Sequence, residues 1–275
     1  MIYEILKLQD HFPSSLVGYS STLTVYSREN SPEIDPNRKY PTVLICPGGG
    51  YGMTSDREAE PVALAFLNRG YTAAVLRYSP SPARYPVQLT EVVAAMALLK
   101  RSSNWNIDTK KISVCGFSAG GHLAASLGTM WDDQAVCDDL KISAFESKPC
   151  AMVLSYPVIT SGEHAHRGSF DNLLGTEPNS ALLHKLSLEN AVTPKTCPAF
   201  IWHTANDDAV PVQNAFLLAS ALQKSNVKYE LHIFESGPHG MSLANVTSTN
   251  PAHTVMADGN IAVWFDLAVN WLDRI

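Results

Sequence analysis

The chain has 275 residues, of which 45% are hydrophobic and 17% are charged, and its formal net charge is −6. A chain of this length is ordinary for one α/β domain and can bury about three quarters of the surface that it exposes when unfolded. It has no basic run that would favour nucleic acid, and no apolar stretch reaches the roughly 18 residues that a membrane span needs. We therefore expect a globular protein with neither nucleic-acid nor membrane partners.

The amino-terminal segment and the cysteines both favour a cytoplasmic location. Residues 1–12 contain acids and no uninterrupted apolar core, unlike a signal peptide. The cysteines are scattered and odd in number: Cys46, Cys115, Cys137, Cys150 and Cys197. This pattern favours reduced, mostly buried thiols over a disulfide framework.

Apolar runs of strand length alternate with helical patterns along the chain. The sequence predicts strands at 42–46, 72–76, 111–115, 151–156, 199–203 and 230–234. It predicts helices at about 56–70, 89–99, 121–127, 215–222 and 261–272. Strands that are apolar on both faces and alternate with helices are typical of a mostly parallel sheet covered on both sides. We expect one domain, in which residues 160–198 form a small cap-like insertion over the carboxyl edge of the sheet.

Residues 116–120, with the sequence Gly-Phe-Ser-Ala-Gly, match the G-x-S-x-G pattern of a nucleophile elbow. In that motif a sharp turn from strand to helix exposes the serine oxygen, and the glycines let the two elements approach. The pattern alone would also fit a plain turn. A buried strand directly before it and a helical segment after it favour Ser118 as a nucleophile.

A serine nucleophile needs backbone amides that stabilise the developing oxyanion, and two parts of the chain can supply them. One donor is expected from Ala119, directly after the nucleophile. The glycine triplet at 48–50 follows an earlier strand, and we favour the amides of Gly49 and Gly50. An ordinary turn is the alternative. A phosphate loop is disfavoured because no G-K-[ST] follows the glycines.

The acid and the base of the predicted triad should follow the serine in that order along the chain. Asp207 and Asp208 both follow the strand at 199–203, and we prefer Asp207 because it is closer to the strand end. His239 lies in a Gly-Pro-His-Gly loop after the strand at 230–234, which places it over the sheet edge as the expected base.

The remaining histidines are expected to have other roles. His164 and His166 could indicate a metal site, but no carboxylate or cysteine spacing supports one, so an exposed loop is preferred. His122 should lie one helical turn beyond Ser118 and contribute to packing. His253 is expected in a polar loop. No metal and no cofactor are predicted.

Several motifs together resemble one known group of enzymes. They are Cys46 to Tyr51, Gly116 to Leu123, Trp202 to Thr204, Asp207 to Pro211, and Gly237 to Gly240. The chain resembles the acetyl esterase and acetylxylan-esterase-like branch of the α/β hydrolases, near the hormone-sensitive lipase family, from about residue 40 to the end. Relatives of that lipase usually have histidine before the glycine triplet. Pro47 stands there in this chain, which points to the bacterial sugar-ester branch.

The resemblance implies an α/β-hydrolase fold, Asp207 as the triad acid and a cytoplasmic, often oligomeric protein. The predicted function is a serine carboxylesterase that hydrolyses short acyl esters through an acyl-enzyme on Ser118. Acetyl esters of sugars or xylo-oligosaccharides are the expected substrates. The alternatives are a peptidase of the prolyl-oligopeptidase type and a non-catalytic binding protein on a hydrolase scaffold.

Overall fold

One eight-stranded sheet organises the protein, which a computed structural model describes over residues 1–252 and 256–275. The strands are β1 (Ile2–Lys7), β2 (Thr22–Ser27), β3 (Tyr40–Cys46), β4 (Thr72–Arg77), β5 (Ile107–Phe117), β6 (Met152–Ser155), β7 (Ala199–Thr204) and β8 (Tyr229–Phe234). Their order across the sheet is β1-β2-β4-β3-β5-β6-β7-β8. Among these strands, β2 alone runs opposite to the others, so the predicted mostly parallel sheet is confirmed.

Helices cover both faces of this sheet. They are α1 (Leu8–His11), α2 (Glu60–Asn68), α3 (Val87–Arg101), α4 (Ser118–Met130), α5 (Gln134–Leu140), α6 (Ala144–Ser147), α7 (Arg167–Leu174), α8 (Ser180–Lys185), α9 (Gln213–Lys224) and α10 (Gly259–Leu272). Successive side chains of a strand point to opposite faces. Accordingly, Val43 and Ile45 of β3 belong to the apolar layer that includes α2 and α10. Leu44 and Cys46 belong to the layer that includes α3, α4 and α9. Within the described part of the chain, no helix combines the length and the apolar character needed to cross a membrane.

The six strands expected from the sequence are present, but β1 and β2 were not predicted. β1 lies at the edge of the sheet, and its residues alternate between partly buried and exposed. Such a strand lacks the continuous apolar run that identified the central ones. α5 and α6 were also missed because each is short, and a short amphipathic turn gives little periodicity.

The segment 160–198 connects β6 to β7 and contains α7 and α8. It lies against the loop that follows β3, because Asn172 Nδ2 donates a hydrogen bond of 2.9 Å to the carbonyl oxygen of Gly50. It also reaches α4, where His122 Nε2 lies 2.9 Å from the carbonyl oxygen of Leu186. This segment therefore borders both parts of the chain that the sequence indicated for catalysis.

The turn from β5 into α4 depends on glycine at two positions. Ser118 begins α4 directly after the strand and has a φ of 53°, a left-handed backbone that is uncommon for serine. A β-carbon at Gly116 would lie 2.1 Å from the carbonyl oxygen of Gly120. One at Gly120 would lie 2.1 Å from the carbonyl oxygen of Cys46. The end of β3 and the start of α4 thus meet backbone to backbone.

This contact predicts a large difference in stability between two Gly→Ala variants. Gly120→Ala should lower the free energy of unfolding by about 3 kcal/mol or more, because the methyl group overlaps backbone that cannot rotate away. Gly259→Ala is the matched control, since a β-carbon there meets no atom of the described residues within 4 Å. It should leave stability unchanged or raise it by about 0.4–1 kcal/mol. Urea unfolding followed by circular dichroism measures both. Equal stability of the two variants would show that the turn can shift to accept a side chain.

Candidate active site

The three side chains expected as nucleophile, base and acid form one hydrogen-bonded chain. Ser118 Oγ lies 2.8 Å from His239 Nε2, and His239 Nδ1 lies 2.7 Å from Asp207 Oδ2. A carboxylate can only accept, so Nδ1 carries the proton and Nε2 accepts the hydrogen bond that Ser118 donates. An imidazole in this state can take the proton of the serine oxygen as that oxygen attacks a carbonyl carbon.

Asp207 is fixed and ionised by its surroundings after β7. Its Oδ1 accepts hydrogen bonds from the amides of Ala209 and Val210 at 2.9 and 2.8 Å, and its side chain is 1% exposed. Burial raises the pKa of this carboxyl group. The hydrogen bond from His239, the charge of that ring and the two amides outweigh the burial, so the pKa lies below its usual value. Asp207 can therefore stabilise a protonated His239.

Asp208, the other candidate for the acid, contacts the backbone of the base. It is exposed, and its Oδ1 accepts a hydrogen bond of 3.2 Å from the main-chain amide of His239. Asn206 Oδ1 similarly accepts from the amide of Gly237 at 2.8 Å. The loop after β7 thus holds the loop that carries the imidazole, and Asp207 is the member of the pair that reaches the ring.

The glycine loop after β3 brings free amides next to the serine. Gly49 and Gly50 have φ values of 126° and 61°, in the region that favours glycine. A β-carbon at Gly48 would lie 3.0 Å from the Cβ of Ser118, so the loop passes directly beside it. No described residue accepts a hydrogen bond from the amides of Gly49, Gly50 or Ala119. Ala119 also lies in the first turn of α4, where amides lack partners within the helix.

A buried carboxylate that sequence reasoning missed supports this loop. Glu58 is 3% exposed, and its Oε2 accepts a hydrogen bond of 2.7 Å from the amide of Gly48. Its Oε1 accepts from Tyr156 Oη at 2.7 Å, and Tyr156 in turn packs edge-on against the ring of His239 with 5.0 Å between centroids. Glu58 therefore links the glycine loop, through Tyr156, to His239. It follows Asp56 and Arg57, and such a charged run is typical of an exposed helix start, so no local signal marked it.

His122 connects the same loop to the segment 160–198. The carbonyl oxygen of Leu186 can only accept, so His122 Nε2 carries the proton. Its Nδ1 accordingly accepts the hydrogen bond from Tyr51 Oη at 2.8 Å. Burial lowers the pKa of His122 to about 4, which keeps the ring neutral at physiological pH. The predicted packing role fits this environment.

His164 and His166 lie in a loop before α7, as expected, but both are partly buried and not exposed. The ring of His166 lies beside the glycine loop, since its Cε1 is 4.0 Å from the position that a β-carbon at Gly50 would take. Among the described residues there is no group of three or more His, Cys, Asp or Glu side chains that could hold a metal ion. His253 lies outside the described residues.

Comparison with known proteins gives several matches. Residues 31–222 match the family model described as BD-FAE. Endo-1,4-beta-xylanase B of Butyrivibrio fibrisolvens is 38% identical over 208 residues, which make up 74% of this chain and 33% of that protein. Acetylxylan esterase of Xylanibacter ruminicola is 32% identical over 205 residues, or 72% of this chain and 40% of that protein. The chain therefore spans less than half the length of these curated relatives.

A solved structure matches over nearly its whole length. It is the acetyl ester-xyloside bifunctional hydrolase from Caldicellulosiruptor lactoaceticus, which is 35% identical with a TM-score of 0.82. The match covers 98% of this chain and 96% of that one. Together with the order of the sheet, it confirms the α/β-hydrolase fold. Because the family model also covers more than half of the chain, this protein belongs to the BD-FAE family of α/β hydrolases.

Proposed function

We propose that this protein is a serine carboxylesterase that hydrolyses short acyl esters, foremost acetyl esters of sugars or xylo-oligosaccharides. The observation that carries the proposal is the hydrogen-bonded chain from Ser118 through His239 to Asp207, with unpaired amides in the loop that passes beside Ser118. The names of two similar proteins, an acetylxylan esterase and an acetyl ester-xyloside hydrolase, support the substrate class.

The mechanism follows from the roles that these groups can take. His239 removes the proton from Ser118 Oγ as that oxygen attacks the acyl carbonyl carbon. The amides of Ala119, Gly49 and Gly50 stabilise the negative oxygen of the tetrahedral intermediate. His239 then gives its proton to the departing alcohol, and an acyl group remains on the serine. A water molecule, activated by the same imidazole, releases the acid, while Asp207 stabilises the imidazolium in both halves.

The side chains between the glycine loop and the segment 160–198 are packed too closely to accommodate a long acyl chain. Tyr51 of the loop and His122 of α4 meet Phe170 and Leu173 of α7, and the gap between them is too small to admit a water molecule. No tunnel for a long acyl chain therefore opens between these residues. In this proposal the segment acts as a small cap that limits acyl length.

The other functions that the sequence left open have less support. A non-catalytic binding protein would have no use for a complete serine, imidazole and carboxylate chain. The two curated relatives described above are named as a xylanase and an acetylxylan esterase, and neither name is that of a peptidase.

A cytoplasmic location is supported by the five free cysteines, since thiols stay reduced there. A homo-oligomer stays a prediction of the resemblance.

The two adjacent aspartates should differ sharply when each is changed to asparagine. Asp207→Asn preserves size but favours the wrong tautomer of His239, and it should lower kcat for 4-nitrophenyl acetate by up to about 10⁴-fold. Asp208→Asn is the matched control. It should have a far smaller effect, because an asparagine oxygen can still accept the hydrogen bond from the amide of His239. The reverse order of damage would assign the acid to Asp208.

Loss of the Glu58 carboxylate should lower kcat more than it changes KM. The Gly48 amide and Tyr156 Oη both donate hydrogen bonds to Glu58. A glutamine at this position has only one acceptor oxygen, so its side-chain NH₂ group would face one of these two donors. The loop should shift, and Glu58→Gln should lower kcat about ten- to a hundredfold. KM should change little, because the oxyanion exists only near the transition state. Glu60→Gln, at an exposed residue of α2, is the control. An unchanged kcat in Glu58→Gln would mean that the loop position does not depend on this carboxylate.

The substrate class is tested with a series of esters. Acetyl and propionyl esters of 4-nitrophenol should be hydrolysed with higher kcat/KM than octanoyl or longer esters, because the closely packed side chains around Tyr51 leave no room for a long chain. Acetylated xylo-oligosaccharides should release acetate, and Ser118→Ala should abolish both activities while the protein stays folded. A preference for long acyl chains would contradict the short-ester function, and an active Ser118→Ala variant would contradict the mechanism.

A further inference from the structure

One histidine outside the predicted triad lies beside the reacting groups. His166 comes directly before α7, and its Cε1 lies 4.0 Å from the position that a β-carbon at Gly50 would take. The ring is partly buried, and both burial and the nearby His239 lower its pKa. His166 is therefore close to the glycine loop on one side and within electrostatic reach of His239 on the other. The ring therefore lies next to the loop whose amides are proposed to face the ester carbonyl.

The ring of His166 is held in place but leaves one nitrogen free. Its Nδ1 lies 2.8 Å from Ser169 Oγ, and Ser169 is 1% exposed, so the partner is itself fixed. α7 is anchored to the glycine loop by the hydrogen bond between Asn172 and Gly50. Among the described residues, nothing hydrogen-bonds to His166 Nε2. The ring makes no hydrogen bond to the three residues of the predicted triad, so their chemistry leaves this nitrogen unused.

We propose that His166 Nε2 hydrogen-bonds a hydroxyl group on the alcohol portion of the substrate, beside the scissile ester. This contact selects esters of sugars and other polyols over esters of alcohols that lack a second hydroxyl. A neutral imidazole nitrogen is either a donor or an acceptor, depending on how Ser169 orients the tautomer, and a hydroxyl group can complement both. The inference rests on the proposed esterase function and adds recognition of the alcohol portion of the substrate.

The test compares two substrates that share the acetyl group and differ in the alcohol. His166→Ala should lower kcat/KM for an acetylated xylo-oligosaccharide about three- to tenfold, the value of one neutral hydrogen bond. The same variant should change kcat/KM for 4-nitrophenyl acetate less than twofold, since nitrophenol offers no hydroxyl beside the ester. His166→Gln, which places an amide group in the same region, should recover part of the loss on the sugar ester. The control is His184→Ala, which removes an exposed histidine from α8 and should alter neither substrate. Thermal unfolding checks that every variant is folded.

Each other outcome has a definite meaning. An equal loss on both substrates would overturn the proposal, because His166 would then act on the serine chemistry or on the loop itself. No loss on the sugar ester would also overturn it, because Nε2 would then have no contact with the alcohol. A wild-type protein that hydrolyses neither substrate would instead refute the esterase function. A wild-type protein active on 4-nitrophenyl acetate but not on acetylated sugars or glycerol monoacetate would leave the esterase function standing and overturn the role of His166.

Discussion

The backbone contact between the start of α4 and the end of β3 is the constraint on which the site depends. A side chain at Gly120 would overlap the carbonyl oxygens of Cys46 and Pro47, so only glycine allows this approach. The contact brings Ser118 and the glycine loop together through main chain alone. The distance between Ser118 and the amides beside it is consequently set by closely packed backbone and not by a pair of flexible side chains.

A loop held this close to a buried serine must find hydrogen bonds for its own polar groups. The sheet ends at Cys46, so the residues that follow have no neighbouring strand. Glu58 accepts from the amide of Gly48, Tyr78 Oη donates to the carbonyl oxygen of Pro47, and Asn172 donates to that of Gly50. A buried polar group without a partner costs about 1–3 kcal/mol, so these contacts stabilise one loop conformation. In the proposed mechanism the unpaired amides are then already oriented before a substrate arrives, so that little reorganisation accompanies the reaction.

The parts of this molecule that were predictable from sequence are those whose cause is local. The central strands are continuous apolar runs, and Ser118 lies in a turn motif of five residues. Asp207 and His239 each follow a strand, and the parallel sheet brings those strand ends to one edge. The choice between Asp207 and Asp208 was harder, since two adjacent side chains point in different directions and only the folded loop shows which one meets the imidazole.

The parts that sequence reasoning missed depend on contacts between distant segments. Glu58 and Tyr156 are 98 residues apart, and nothing near Glu58 in the chain indicates that it would be buried. His166 looked like part of an exposed polar loop because the surface that covers it, the loop around Gly50, comes more than a hundred residues earlier. β1 was missed for a different reason. An edge strand buries only one face, so its pattern alternates and is easily taken for a loop.

Two residues of the segment 160–198, Asn172 and His166, serve different parts of the proposed reaction. Asn172 supports the glycine loop, and His166 is proposed to contact the alcohol. Asn172 bonds to the carbonyl of Gly50 and so belongs to the support of the glycine loop. His166 lies on the same segment but makes no bond to that loop, and its partner is Ser169 within the segment. A substitution at Asn172 should disturb the amides that are proposed to stabilise the oxyanion, whatever the alcohol. A substitution at His166 leaves the hydrogen bond between Asn172 and Gly50 in place and should, on the proposal above, affect recognition of the alcohol. In the proposed mechanism the acyl carbonyl is positioned by the backbone of the fold, while His166 contributes to recognition of the alcohol through a side chain that makes no hydrogen bond to Ser118, His239 or Asp207.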